Sequence, residues 1–344
     1  ATTVIAILPG SDPQLSGEAV MVGCYYDAIS PIPAINPGAE QASGVAAWLE
    51  IAKVLQSERL PRTVILAATP GHFQSLAGMR DLVGALRNGD SSELGIGNLE
   101  LAYFVGIDLS SHGSRIGLIQ AGSPYRVRKI RPPIYDVIEQ FAHRYEREQR
   151  QGRLILGGAL KPQRDRMPIG ALPEQIPVQG AVANLAGYLG LTFVTAGDTR
   201  GAFDSPLDLP HRVDMKQLEE QTEFLSALLV ELLRDPAAGS QIDRRKDSFG
   251  TVRGRVLTWG KHAYAPNQPI DGALVRVRTL HHVIMGVRMD PLALSDADGR
   301  FDFAGIEART LYLKPIQLEA FGTDDRTGEL NFALDRGPFG VQQY

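Results

Sequence analysis

The chain has 344 residues, of which 44% are hydrophobic and 22% charged, and a formal net charge of -4. That composition excludes a mainly disordered chain, and its mild acidity gives no electrostatic reason to expect nucleic acid or an anionic membrane surface as partner. The single cysteine, Cys24, excludes an internal disulfide and any cysteine-rich metal knuckle. No apolar run approaches the length of a membrane span, no leader peptide is expected within this chain, and the length predicts two domains.

Strands are predicted over Val4 to Leu8 and Ala19 to Tyr26. A helix is predicted over Ser43 to Leu55, where Val45, Leu49, Ala52 and Leu55 recur at helical spacing and should form the stripe that faces a sheet. A strand over Thr63 to Ala68 and a helix over Ser75 to Leu86 follow, then strands over Leu99 to Asp108 and Arg115 to Gln120, and a helix over Pro132 to Glu148. Gln151 to Gln179, rich in Gly, Pro and Arg, reads as a long loop. A strand over Leu191 to Thr195 and a helix over Val213 to Arg234 complete an alternation expected of a three-layer α/β domain, a mixed sheet with helices on both faces, over residues 1–243.

From residue 244 the helical period disappears. Short alternating runs at Gly250 to Leu257, Ala273 to Thr279, Arg300 to Phe303 and Leu311 to Leu318, separated by turns, predict an all-β sandwich over residues 244–344 that is expected to run on past the last residue. Asp296-Ala297-Asp298-Gly299 begins like a calcium loop but lacks the further spaced oxygens and closing Glu, so it reads as a β-turn. The sequence holds no HExxH, GxSxG, P-loop or GxGxxG motif.

In an open α/β sheet, sites form at the carboxyl ends of the strands. There the second strand delivers Tyr25 and Asp27 to one face, and Pro37-Gly38-Ala39-Glu40-Gln41-Ala42-Ser43-Gly44 runs into the first helix. Thr69-Pro70-Gly71-His72-Phe73 leaves the third strand, Asp108 ends the fourth, and Phe203-Asp204-Ser205-Pro206 precedes the last helix. Ser110, Ser111 and His112 have, with an Asp, the residue types of a Ser-His-Asp set, but adjacent residues rarely point at one another and no nucleophile elbow precedes them. Cys24 alternates away from Tyr25 and reads as a small buried hydrophobe. Arg126, Arg128, Lys129 and Arg131 read as a solvated edge.

These segments resemble the co-catalytic zinc aminopeptidases, a scaffold also found in non-enzymatic members such as the transferrin receptor and nicastrin. The family pattern is a His-x-Asp strand end, a Gly-Ala-x-Asp-Asn-x-Ser-Gly loop, a Gly-Glu-Glu turn, an Asp at a strand end and a Tyr-His-Thr-Pro segment. All five segments occur in order over residues 4–235, with Gly23, Tyr26, Asp27, Gly38, Ala39, Ser43, Gly44, Gly71, Gly78, Asp108 and Pro206 at the framework positions. The ligand positions differ. Tyr25 stands in place of the first metal histidine, Glu40 in place of the bridging aspartate, His72 and Phe73 in place of the paired glutamates (His72 at the general-base position), and Asp204 in place of the last histidine. Asp108 alone is retained as a ligand, and Asp27, which in the family orients the first histidine, is left without it.

Zinc in such a centre needs imidazole, thiolate or carboxylate donors, and hydrolysis needs a base beside the bridging water. A phenyl ring supplies neither, and a phenol with an ordinary pKa near 10 stays protonated at neutral pH. The resemblance with these departures implies a degenerate member with no cofactor, acting extracytoplasmically through its surfaces as a binding or self-assembling module. The alternative is an active metal-dependent aminopeptidase in which Asp27, Glu40, His72, Asp108 and Asp204 hold zinc or a harder divalent ion such as magnesium, calcium or manganese. A third reading is capture of peptides without cleavage. If no metal enters, the carboxylates are expected to cap helices and pair with arginines such as Arg80 or Arg200. A peptide or protein partner, or a second copy of the chain, is therefore expected. The C-terminal segments Gly250 to Leu257, Gly272 to Arg278 and Ser295 to Phe303 resemble the carboxypeptidase-regulatory or transthyretin-like β-sandwich, which implies an exported bacterial protein.

Overall fold

A computed structural model describes residues 2–88, 95–96, 99–119, 134–149, 178–239, 249–261, 263–278, 291–307, 317–323 and 330–336. The chain divides into two compact units, Ala1–Arg245 and Lys246–Tyr344.

The first unit is built on a six-stranded mixed sheet of β1 (Val4–Leu8), β2 (Glu18–Tyr25), β3 (Thr63–Thr69), β4 (Glu100–Asp108), β5 (Arg115–Ile119) and β6 (Leu189–Ala196), in the order β1-β3-β2-β4-β6-β5. The four central strands are parallel, and β1 and β5 close the two edges antiparallel. β2, β3, β4 and β6 are buried almost throughout, as near-continuous apolar runs in a sheet covered on both faces must be. The helices are α1 (Ser43–Ser57), α2 (Ala77–Asn88), α3 (Ile134–Gln149), α4 (Gln179–Leu185) and α5 (Met215–Arg234). In α5 the buried side chains Leu218, Phe224, Leu225, Leu228, Leu229, Leu232 and Leu233 recur every three or four residues, and Asp214 caps the first turn by accepting from the Gln217 amide at 3.1 Å. One apolar cluster joins this face of α5 to α1, α3 and the sheet through Val20, Val22, Cys24, Tyr103, Val105, Ile107 and Phe193.

The stripe that turns inward on α1 is not the predicted one. Ala47, Trp48, Ile51 and Leu55 are buried, whereas Leu49 is 51% exposed and Val45 and Ala52 only flank the core. Trp48 favours this rotation: its Nε1 donates to the Val22 carbonyl at 3.0 Å, so the largest side chain of the helix can be buried with its polar atom satisfied. Helix α2 starts two residues later than predicted, because Ser75 and Leu76 occupy the left-handed region at φ 62° and 59°. Residues 151–177 of the predicted long loop and the basic run Arg126–Arg131 lie outside the described residues, and the loop's expected end, Gln179, instead opens α4, a helix the periodicity did not show.

In the second unit β10 (Leu274–Arg278), β11 (Leu292–Leu294), β13 (Gln317–Thr323) and β14 (Leu330–Arg336) form an antiparallel sheet in the order β11-β10-β13-β14. β7 (Phe249–Arg255) pairs with β12 (Arg300–Glu307), and β8 (Leu257–Thr258) with β9 (Gln268–Pro269). Val275, Val277, Phe303 and Ile306 form its core, against Val252, Val256, Ala293, Leu318 and Ala320. The predicted strand at Leu311 to Leu318 lies later, at Gln317–Thr323, and residues 311–316 are outside the described residues. Asp296 to Arg300 is a tight turn. The Gly299 amide donates to the Asp296 carbonyl at 2.7 Å, the Asp296 carboxylate accepts from the Asp298 and Arg300 amides, and Asp298 pairs with Arg300 at 2.7 Å.

Candidate functional site

β2 and β3 run in register with Tyr25 opposite Thr69, so the turn leaving β3 lies beside the end of β2. Two glycines shape that turn. Gly71 has φ +66°, and at Gly78 a Cβ would lie 2.5 Å from the Pro70 carbonyl oxygen, so the start of α2 approaches the backbone more closely than any other residue permits. The result stacks the His72 ring on Tyr25, with centroids 3.7 Å apart and planes inclined by 26°. Phe73 meets both rings edge-on, at 5.7 Å from Tyr25 and 4.9 Å from His72. Asp27 is not left idle: its carboxylate accepts from the His72 backbone amide at 3.0 and 3.2 Å and so pins the turn. Burial nevertheless raises the Asp27 pKa, with backbone amides opposing.

Asp108 ends β4 across from Val194 of β6, and its side chain is 4% exposed. Its Oδ1 accepts from the Tyr25 hydroxyl at 3.2 Å and from Arg200 Nη1 at 3.0 Å, and its backbone oxygen accepts from Arg200 Nη2 at 3.0 Å. Burial, then the neighbouring Asp108, pushes the Tyr25 phenol well above its ordinary value, so it donates as a neutral hydroxyl. Burial pushes His72 down to about 4, so the imidazole is neutral at pH 7. Asp108 Oδ2 and both ring nitrogens of His72 are buried without a hydrogen-bond partner among the described residues.

Glu40 is held elsewhere. Its carboxylate accepts from the Ser111 amide and, at 2.7 Å, from the Ser111 hydroxyl, with His112 Nε2 3.9 Å away, while its own amide donates to Asp208 Oδ1 at 2.5 Å. Ser111 also accepts from the Asp214 amide at 2.9 Å, which ties the entry of α1, the end of β4 and the start of α5 together. Ser111 is thus bound to a carboxylate and not to His112, and no Ser-His-Asp relay forms from these residues. Asp204 is exposed, at φ +62°, in the loop that follows Arg200. Arg80 Nε donates to the Ser75 carbonyl at 2.6 Å and supports the left-handed turn before α2. Cys24 is fully buried, on a strand covered on both faces.

A two-zinc centre does not fit these residues. The retained carboxylate is engaged by a guanidinium and a protonated phenol, a phenyl ring fills one donor position, and among the described residues no three His, Cys, Asp or Glu side chains form a group that could hold a metal ion. The shifted set Asp27, Glu40, His72, Asp108 and Asp204 is accordingly not brought together: Asp27 is turned to an amide, Glu40 to Ser111 and Asp108 to Arg200. Sequence reasoning passed over Ser111 and Asp208 as partners of Glu40. Ser111 lies three residues past the end of β4, a signal visible only once that strand end is known, and Asp208 lies in the loop between β6 and α5, where no local pattern marks it.

Residues 3–169 match the model of Peptidase family M28. A probable zinc metalloprotease of Leptosphaeria maculans is 30% identical over 151 residues, 42% of this chain and 32% of that protein. The zinc aminopeptidase of Bacillus subtilis superposes with a TM-score of 0.46 at 14% identity, covering 70% of this chain and 52% of the other. Nicastrin, the gamma-secretase component, gives 0.49 at 13% identity, covering 71% and 44%. The chain thus spans about a third of its curated relative and about half of these solved structures. Residues 3–169, within the α/β unit, are thus similar to the co-catalytic zinc aminopeptidase-like family, Peptidase family M28.

Proposed function

We propose that this chain is a non-hydrolytic member of the family that works extracytoplasmically as a binding or self-assembling module, with a peptide, a protein or a second copy of itself as partner. The observation that carries the reading is the state of Asp108: the one family ligand retained is already neutralised by Arg200 and hydrogen-bonded by Tyr25. Neither residue at the family's paired-glutamate positions serves as base for a metal-bound water, since Phe73 is a hydrocarbon and both His72 nitrogens are sealed from solvent. The surface role is supported by two loops at the carboxyl ends of the strands, joined by the bond from the Ala39 amide to the Asp208 carbonyl at 3.3 Å. They expose Ile29, Ile32, Ile35 and Leu207, the last three by more than half, where a hydrolase would admit substrate.

Metal analysis of the purified chain, with an aminoacyl-anilide assay run with and without chelator, tests the catalytic half. The expected result is neither stoichiometric metal nor chelator-sensitive release. Both appearing together would establish the active aminopeptidase with a remodelled ligand set instead. Sedimentation over a range of concentrations, compared with Ile32→Glu/Ile35→Glu, tests self-assembly: association weakened by the variant supports it, and a monomer throughout leaves peptide or protein capture as the surface role.

A further inference from the structure

A buried carboxylate is held in a protein only when charge and hydrogen bonds compensate its lost hydration. At Asp108, 3% exposed, the compensating charge comes from one side chain, which grips both the carboxylate and the backbone carbonyl of the same residue with two nitrogens of one fork, while the Tyr25 hydroxyl adds a neutral donor. Arg200 is 92 residues away in sequence, and the loop carrying it is wound to deliver it. Its φ is +49°, a left-handed conformation that is strained for a non-glycine residue. That conformation is held by its amide donating to Asp198 Oδ1 at 2.8 Å, with Asp198 itself buried and bound to the His112 amide at 3.2 Å. The guanidinium carbon lies 5.3 Å from the centre of the Phe203 ring. A backbone strain, a clamped turn, an aromatic platform and a fork thus converge on one cation.

We propose that the Arg200 guanidinium is a resident cation that replaces the metal at the tip of β4: it neutralises Asp108 permanently and excludes a divalent ion from this centre. With Arg200 paired to Asp108 and Tyr25 donating as a neutral phenol, the charge of the Asp108 carboxylate is already matched by a fixed cation. An entering dication would meet a carboxylate already paired and would lie beside a fixed positive charge that repels it. The inference does not rest on the binding role proposed above. It asserts a charge substitution, whatever the surfaces do.

The test is thermal unfolding of the full chain as wild type, Arg200→Met, Asp108→Asn and the double variant, each with chelator and with added zinc. The wild-type midpoint should be the same in both. Arg200→Met should fall by roughly 10 °C, and the double variant should recover part of that loss, because it is the unpaired charge that destabilises. Should Arg200→Met not accumulate as folded protein, Asp108→Asn against the double variant carries the same comparison, the double being the more stable. A wild-type midpoint raised by zinc or lowered by chelator, an Arg200→Met chain as stable as wild type, or additive losses in the double variant would each overturn the proposal. Anilide hydrolysis with this coupling intact would sink the non-hydrolytic reading and leave the charge substitution standing.

Discussion

His72 spends its imidazole on packing. Both ring nitrogens are shut away from water and the ring lies flat on Tyr25, so protonation would place a charge in a site with no counter-ion contact to its own nitrogens. Burial holds the folded-state pKa down to about 4, against 6.5 when unfolded. The unfolded chain therefore binds more protons between those values. The contribution is complete above pH 6.5 and is lost as pH falls toward 4, reaching at most about 3 kcal/mol. Urea unfolding of His72→Phe, which keeps an aromatic stack and removes the titration, should show a flatter dependence of stability on pH between 6.5 and 4 than wild type. Equal slopes would refute this account. At this scale the sequence was informative about what each position cannot do: a phenol at 25 and a phenyl ring at 73 are chemical facts that no fold alters. It named Arg200 as a partner for the carboxylates but not which carboxylate it meets, and it did not name Ser111 as the partner of Glu40. The partner of Asp108 sits 92 residues on, and Glu40 finds Ser111 71 residues on, distances across which a linear pattern carries no geometry.

At the amino end of the sheet, Arg62 joins elements as Arg200 does at the other end. Its side chain is fully buried, with Nε 3.2 Å from Glu18 of β2, Nη1 donating to the Asp235 carbonyl at 2.5 Å and Nη2 to the Pro236 carbonyl at 2.8 Å, just past the end of α5. Removing it leaves two carbonyls and a carboxylate short of donors. Arg62→Met should lower stability by about 3 kcal/mol, read as a shift in urea midpoint at constant slope. Lys53→Met, which breaks the exposed Glu50 pair, should change it by less than about 0.5 kcal/mol. If the two variants shift the midpoint equally, the buried clamp is not what secures α5. Elements themselves were largely legible, since strands buried on both faces read as unbroken apolar runs and α5 repeats leucine at helical spacing. The facing of α1 was not: apolar residues lie all round that helix, and the indole hydrogen bond to Val22 selects among them. Helix α4 is one to two turns long, too short for a period to show.

On the scale of the whole molecule, each of the two units has its own core, and the family match lies in the first. Its sheet is parallel in the middle and antiparallel at both margins, so opening the centre requires stripping neighbours from either side of β2. Cys24 lies on that strand with no exposed surface, and burial pushes its thiol above the ordinary range. Only the thiolate attacks an alkylating reagent, so the folded chain should resist iodoacetamide. Because no second cysteine competes, a single mass increment would time each excursion of the sheet into solvent. Modification should be negligible in native buffer and should accelerate with urea in step with global unfolding. Prompt alkylation without denaturant would mean that the heart of the sheet breathes far more readily than its packing allows.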